Sequence, residues 1–113
     1  MLDESELRTR VLRAAQEALV GEVSPEMRAI EVERNLAKVT LRVFTDGSAP
    51  DQLREDFDAS VVTQFMANFT DLQPMPQIDF EFVRCDAPQT IPVRGRLVSA
   101  RADTTFSSAA LAT

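Results

Sequence analysis

The chain has 113 residues, 44% hydrophobic and 27% charged, which is enough for one domain with its own core and too apolar for a disordered segment. Twelve basic against 18 acidic residues leave a formal charge of −6 and a pI near 4.6, a balance that repels phosphate backbones and anionic membranes and favours basic partners. Histidine is absent, which removes the commonest general base and transition-metal ligand, and the three glycines (21, 47 and 95) form no phosphate-cradling loop.

The first element is predicted over 3–20. Leu7, Val11, Ala14, Ala15, Ala18 and Leu19 fall on one arc of a helix, with Arg10, Arg13, Gln16 and Glu17 opposite. Asp3 with Glu6 resembles a capping box, and Gly21 stands where a helix C-terminus favours glycine. The acidic N-terminus lacks the basic-then-apolar pattern of a signal peptide, and no apolar run approaches the roughly 20 residues of a membrane span; a cytoplasmic location is expected.

After Ser24-Pro25, Ile30 and Val32 alternate with Glu31 and Glu33. Beyond a turn near Arg34-Asn35, Val39, Leu41 and Val43 alternate with Lys38, Thr40 and Arg42. This predicts a hairpin whose outer face carries acids on one strand and bases on the other, as cross-strand charge pairing requires. Ser48, Pro50 and Asp51 predict a helix start, with Ser48 as cap, and the helix is expected to reach Phe69. Leu53, Phe57, Val61 and Phe65 mark its buried side. The opposite line carries Asp51, Glu55 and Asp58 and runs into Val62, Met66 and Phe69. Two readings of that change stay open: burial of the second half on two sides, or an exposed patch where charge steers a partner and apolar groups hold it.

Gln73 to Pro76 cannot be helical. Ile78, Phe80 and Phe82 alternating with Asp79 and Glu81 predict a third strand, and a fourth is expected over 93–101 with Gly95 as a bulge. The expectation is therefore an α+β domain over 1–102, with two helices on one face of a four-stranded, mainly antiparallel sheet, and a flexible tail over 103–113. The other sheet face, with Glu31, Glu33, Lys38, Arg42, Asp79 and Glu81, is expected to be open to water or to a partner.

Catalysis finds little support. Asp56 and Asp58 point to different sides of a helix, and Asp79 and Glu81 share a solvated strand surface that cannot raise a carboxyl pKa. Asp46, Gly47, Ser48 and Asp51 lack the spacing of a calcium loop and read as helix capping. Arg94, Arg96 and Arg101 balance local acids rather than forming a nucleic-acid patch. The single cysteine, Cys85, excludes an internal disulfide and reads as a packing residue. No enzyme, metal or cofactor is expected; the chain reads as a binding protein.

Three segments, 18–30 (ALVGEVSPEMRAI), 39–47 (VTLRVFTDG) and 79–88 (DFEFVRCDAP), resemble small bacterial immunity proteins of contact-dependent growth inhibition systems, over about two-thirds of the chain. The resemblance implies a protein that binds a cognate toxin domain, commonly a nuclease, in the cytoplasm of the producing cell and blocks its active site or access to substrate. Nucleases present basic clefts, so an acidic surface suits that role. On this reading Asp46, Asp51, Glu55 and Asp58 steer the partner, Asp79 and Glu81 are secondary, and Met66 and Phe69 are apolar anchors. The competing reading is a small acidic secretion chaperone, a homodimer holding an extended effector polypeptide.

Overall fold

The computed structural model describes residues 3–35, 38–72, 75–101 and 104. Helix α1 (Glu4–Ala18) opens on Asp3, whose carboxylate accepts the Glu6 N–H at 2.8 Å, as the capping pattern required. It buries Val11, Ala14, Ala15 and Ala18 and ends before Gly21, which takes a left-handed φ of 76°. Strands β1 (Met27–Asn35) and β2 (Lys38–Thr45) follow as an antiparallel pair, with Asn35 opposite Lys38; the link between them lies outside the described residues. Next come α2 (Asp51–Phe57), a π-helical turn (Asp58–Val62) and α3 (Thr63–Ala67), which together form the second helix. Strands β3 (Gln77–Arg84) and β4 (Arg96–Ala100) complete the sheet.

The π turn has a cause in the sequence. Phe57, Val61, Phe65 and Phe69 are all buried at four-residue spacing, which drifts by about 40° per step around an α-helix of 3.6 residues per turn. A wider turn absorbs part of that drift and keeps the side chains aimed at the sheet. The helix start also differs from expectation. Pro50 stands at the cap position without a side-chain bond, and the Ser48 hydroxyl instead accepts from Arg84 at 3.2 Å.

Strand order is β3-β2-β1-β4. β1 lies antiparallel to β2 and to β4, but β3 runs parallel to β2, so the sheet is mixed rather than mainly antiparallel. The second helix makes the difference: as a crossover it carries the chain back to the end where β2 began, so β3 starts beside the start of β2. Both helices contribute to one core cluster with Ile30, Val32, Val39, Leu41 and Val43.

The opposite face departs from expectation. Ala29, Phe44, Cys85 and Ile91 form a second, smaller core there, with Val83, Val93 and Leu97 packed against it. The connection between β3 and β4 therefore folds across part of a face expected to be open. Glu31 and Arg42, expected at the surface, are buried beneath it. Gly95 does not make a bulge but allows close contact: a Cβ there would stand 2.3 Å from the Val32 carbonyl oxygen. The sheet irregularities fall elsewhere. One leaves Arg28 without a partner on β2, between Met27 and Ala29; the other interrupts the β1–β4 register between Ile30 and Glu31. The expected tail over 103–113 lies, apart from Thr104, outside the described residues.

Candidate partner-binding surface

The acids of this protein divide into two groups, those with internal partners and those without. On the outer side of α2 and the π turn, Asp51, Glu55 and Asp58 are exposed, and none makes an ion pair among the described residues. Asp51 lies in the first turn of α2, where the helix dipole favours negative charge. Asp56 is the exception on this helix, accepting from the Gln52 amide at 2.8 Å.

The apolar half of that line is mostly core. Val62 is buried and Phe69 is 0% exposed, set edge-on to Phe65 with ring centroids 5.2 Å apart. Phe69 is thus not a surface anchor: the chain turns at the end of α3 and folds the ring inward instead of leaving it on the helix's outer line. Met66 remains at the surface, 39% exposed. Arg10 of α1 reinforces the turn, donating from Nε to the Asn68 carbonyl at 3.1 Å and pairing with Asp71.

On the sheet, the acids are satisfied from within. The Arg42 guanidinium bonds Glu31, Glu33 and Glu81, the pairing of outer-face charges that the hairpin pattern implied. Burial works against its charge, but the three carboxylates outweigh burial and raise its pKa, so Arg42 stays ionised. Glu31 is 0% exposed, and its other oxygen accepts the backbone N–H groups of Arg94 and Gly95 at 2.9 and 2.8 Å. One carboxylate thus pins the β3–β4 connection to the sheet. Nearer the rim, Lys38 pairs with Asp79 at 3.0 Å.

The bond from Lys38, helped by Gln77, holds the Asp79 carboxyl below the usual aspartate range. A depressed folded-state pKa means that the stability this pair provides is present above the ordinary aspartate pKa and is lost as pH falls through the lowered one. Carboxyl NMR titration is expected to find the Asp79 midpoint moving up in a Lys38→Met variant; an unmoved midpoint would show that the pair does not form in solution.

Asp46 has a holding role. Its carboxylate pairs with Arg101 at 3.1 Å and accepts the Ala87 N–H at 3.3 Å, tying the β2–α2 turn to both later segments. Nearby, Asp86 accepts the Gly47 N–H at 2.6 Å; its carboxyl is held low by Arg84 first and by this bond second.

No local sequence pattern marks Arg28. It is 0% exposed, and its Nη1 donates to the Cys85 carbonyl at 2.7 Å and lies 3.8 Å from the Cys85 sulfur. Its Nε and Nη2 have no hydrogen-bond partner among the described residues. The bulge at this position turns an arginine into the second core, which strand alternation cannot signal.

Among the described residues these grooves are open rather than enclosed, and no cluster has the ligands to hold a metal ion. Asp79 and Glu81 line one open groove with Lys38 and Arg42. No helix among the described residues is long and apolar enough to cross a membrane.

No curated protein matches the chain. The sequence profile of the MafI2 immunity protein family matches residues 8–102. The three segments that carry the resemblance to immunity proteins lie inside that span. The chain therefore belongs to the MafI2 immunity protein family, and so to the immunity side of a toxin–immunity system.

Proposed function

We propose that the protein binds its cognate toxin domain one to one and neutralises it without catalysis, covering the toxin's active site or the path of substrate to it. The toxin is a nuclease with a basic cleft, met in the cytoplasm of the producing cell, and contact between neighbouring cells delivers it. The acidic line of α2 and the π turn faces that cleft. The observation that carries this reading is the contrast between the two sets of acids. Asp51, Glu55 and Asp58 are exposed and without ion pairs among the described residues, whereas Glu31, Glu33, Glu81 and Asp79 are already committed to Arg42 and Lys38. Carboxylates without ion pairs project their full field into solution and draw in a basic partner; paired ones do so less. Met66 supplies apolar contact beside them. With a net charge of −6 the protein is repelled by nucleic acid, so competition with it, not binding to it, is the fitting mode.

A secretion chaperone would need a continuous apolar surface for an extended polypeptide. Among the described residues, the well-exposed large apolar side chains are Val20, Val23, Met66 and Met75, spread over the α1–β1 link, α3 and the segment before β3.

Replacing Asp51, Glu55 and Asp58 together by Asn, Gln and Asn is expected to slow association with the toxin domain about tenfold at low salt, with little change in dissociation. Raising the ionic strength is expected to erase the difference. Equal association rates at low salt would remove the steering role from this line.

A further inference from the structure

β3 pairs with β2 along all eight of its residues, and among the described residues no strand pairs with its other side. Half of its backbone N–H and C=O groups therefore face outward, a row ready to pair with another chain. Two of the usual protections are missing among the described residues, although the strand does carry charged side chains. The pairing with β2 has no bulge, and the strand holds no proline. Its borders differ in chemistry. On one side Asp79 and Glu81 stand at the rim of a charged group in which Glu31, Glu33, Asp79 and Glu81 share two cations among the described residues, Lys38 and Arg42, leaving two carboxylates in excess. On the other side Phe80 and Phe82 are half-buried against Phe57 of α2, and Arg54 lies over the Phe82 ring at 5.5 Å. That contact sets this side of α2 beside β3, and Asp58, four residues beyond Arg54, shares the side.

We propose that the free edge of β3 receives an extended segment of the toxin domain as an added strand, with basic side chains at alternate positions toward Asp79 and Glu81 and apolar ones toward Phe80 and Phe82. The inference rests on the immunity reading for the identity of the partner. Backbone pairing supplies the adhesion, and alternation supplies the selectivity. A second copy of this chain fits poorly as occupant. Opposite residues in an antiparallel pair share a face, so the two longest self-pairings are centred on Phe80 or Glu81. The first sets Asp79 against Glu81 on both sides of the centre, and the second sets Glu81 against itself. Like charges directly opposite destabilise such a pair, whereas a basic strand would relieve the acidic excess.

Amide hydrogen exchange of the full chain tests the edge, with the cognate toxin domain and with a short peptide alternating lysine and valine as probes. A peptide alternating glutamate and valine is the control. The toxin domain is expected to slow the outward-facing amides of β3 about tenfold or more, leaving those already bonded to β2 little changed. If the toxin is bound and neutralised while β3 exchanges as before, the edge is not the docking site and the immunity reading stands. If no toxin is bound or neutralised, the immunity reading falls, and the peptides judge the edge. Protection of β3 by the lysine peptide alone would keep it as a site for basic strands; protection by neither, or equally by both, would overturn it.

Discussion

An Arg42→Met variant is expected to lose about 3–5 kcal/mol of folding stability, the range for breaking a buried ion pair from one side. The contribution is unequal among the three partners. Glu81 is half exposed and Glu33 about a third exposed, so water and salt screen their pairs and little is lost with them. Glu31 is the costly partner. It is fully buried, and Met at position 42 leaves one of its oxygens without a counter-charge while Glu33 and Glu81 remain as like-charged neighbours. The second oxygen still accepts from Arg94 and Gly95, so the lost pairing is not relieved by turning the side chain. Adding Glu31→Gln to the variant is expected to restore much of the loss, because the amide oxygen can keep both backbone bonds without burying a charge. Urea unfolding of the single and double variants checks this. A single variant within about 0.5 kcal/mol of the parent, the usual spread for surface changes, would place Arg42 at the surface rather than beneath the β3–β4 connection.

The second large effect is expected at Gly95. An alanine Cβ there would lie 2.3 Å from the Val32 carbonyl oxygen and 2.8 Å from its carbonyl carbon, and both are backbone atoms of a paired strand. Neither can swing aside, so the segment carrying Gly95 must move off β1. Moving it also stretches the bonds from Arg94 and Gly95 to Glu31. Overpacking of this kind costs about 1–3 kcal/mol and occasionally more, and the coupled loss at Glu31 sets Gly95→Ala at or above the top of that range. Gly47→Ala is a useful contrast. There φ is 83°, but nothing stands within 4 Å of the added methyl, so the cost is backbone strain without a clash. Thermal unfolding that places Gly95→Ala level with the parent would contradict the packing of this connection on β1.

Where the sequence was informative, local patterns and local structure agreed. Asp3 and Gly21 bound α1, alternation around Ile30 and Val39 produced a hairpin, and Ile78, Phe80 and Phe82 produced β3. What stayed hidden depends on long-range contacts. Nothing local tells Glu31 from Glu33, yet the first is sealed by a segment more than 60 residues later and the second is not. Phe69 continued an outer helical line on paper, but the helix ends two residues earlier and the ring turns into the core. Parallel pairing of β3 with β2 follows from where the second helix delivers the chain, a property of the whole crossover. Of the candidate surface, Asp51, Glu55, Asp58 and Met66 stay exposed, and Asp79 and Glu81 stay at the rim with internal partners. Asp46 is drawn into holding the fold together.

The role against a toxin is tested most directly by mixing the purified protein with its cognate toxin domain and measuring complex mass and toxin activity across a titration. A one-to-one complex is expected, with activity that falls to zero at equimolar protein. Full toxin activity in molar excess of this protein, with no complex formed, would contradict that role.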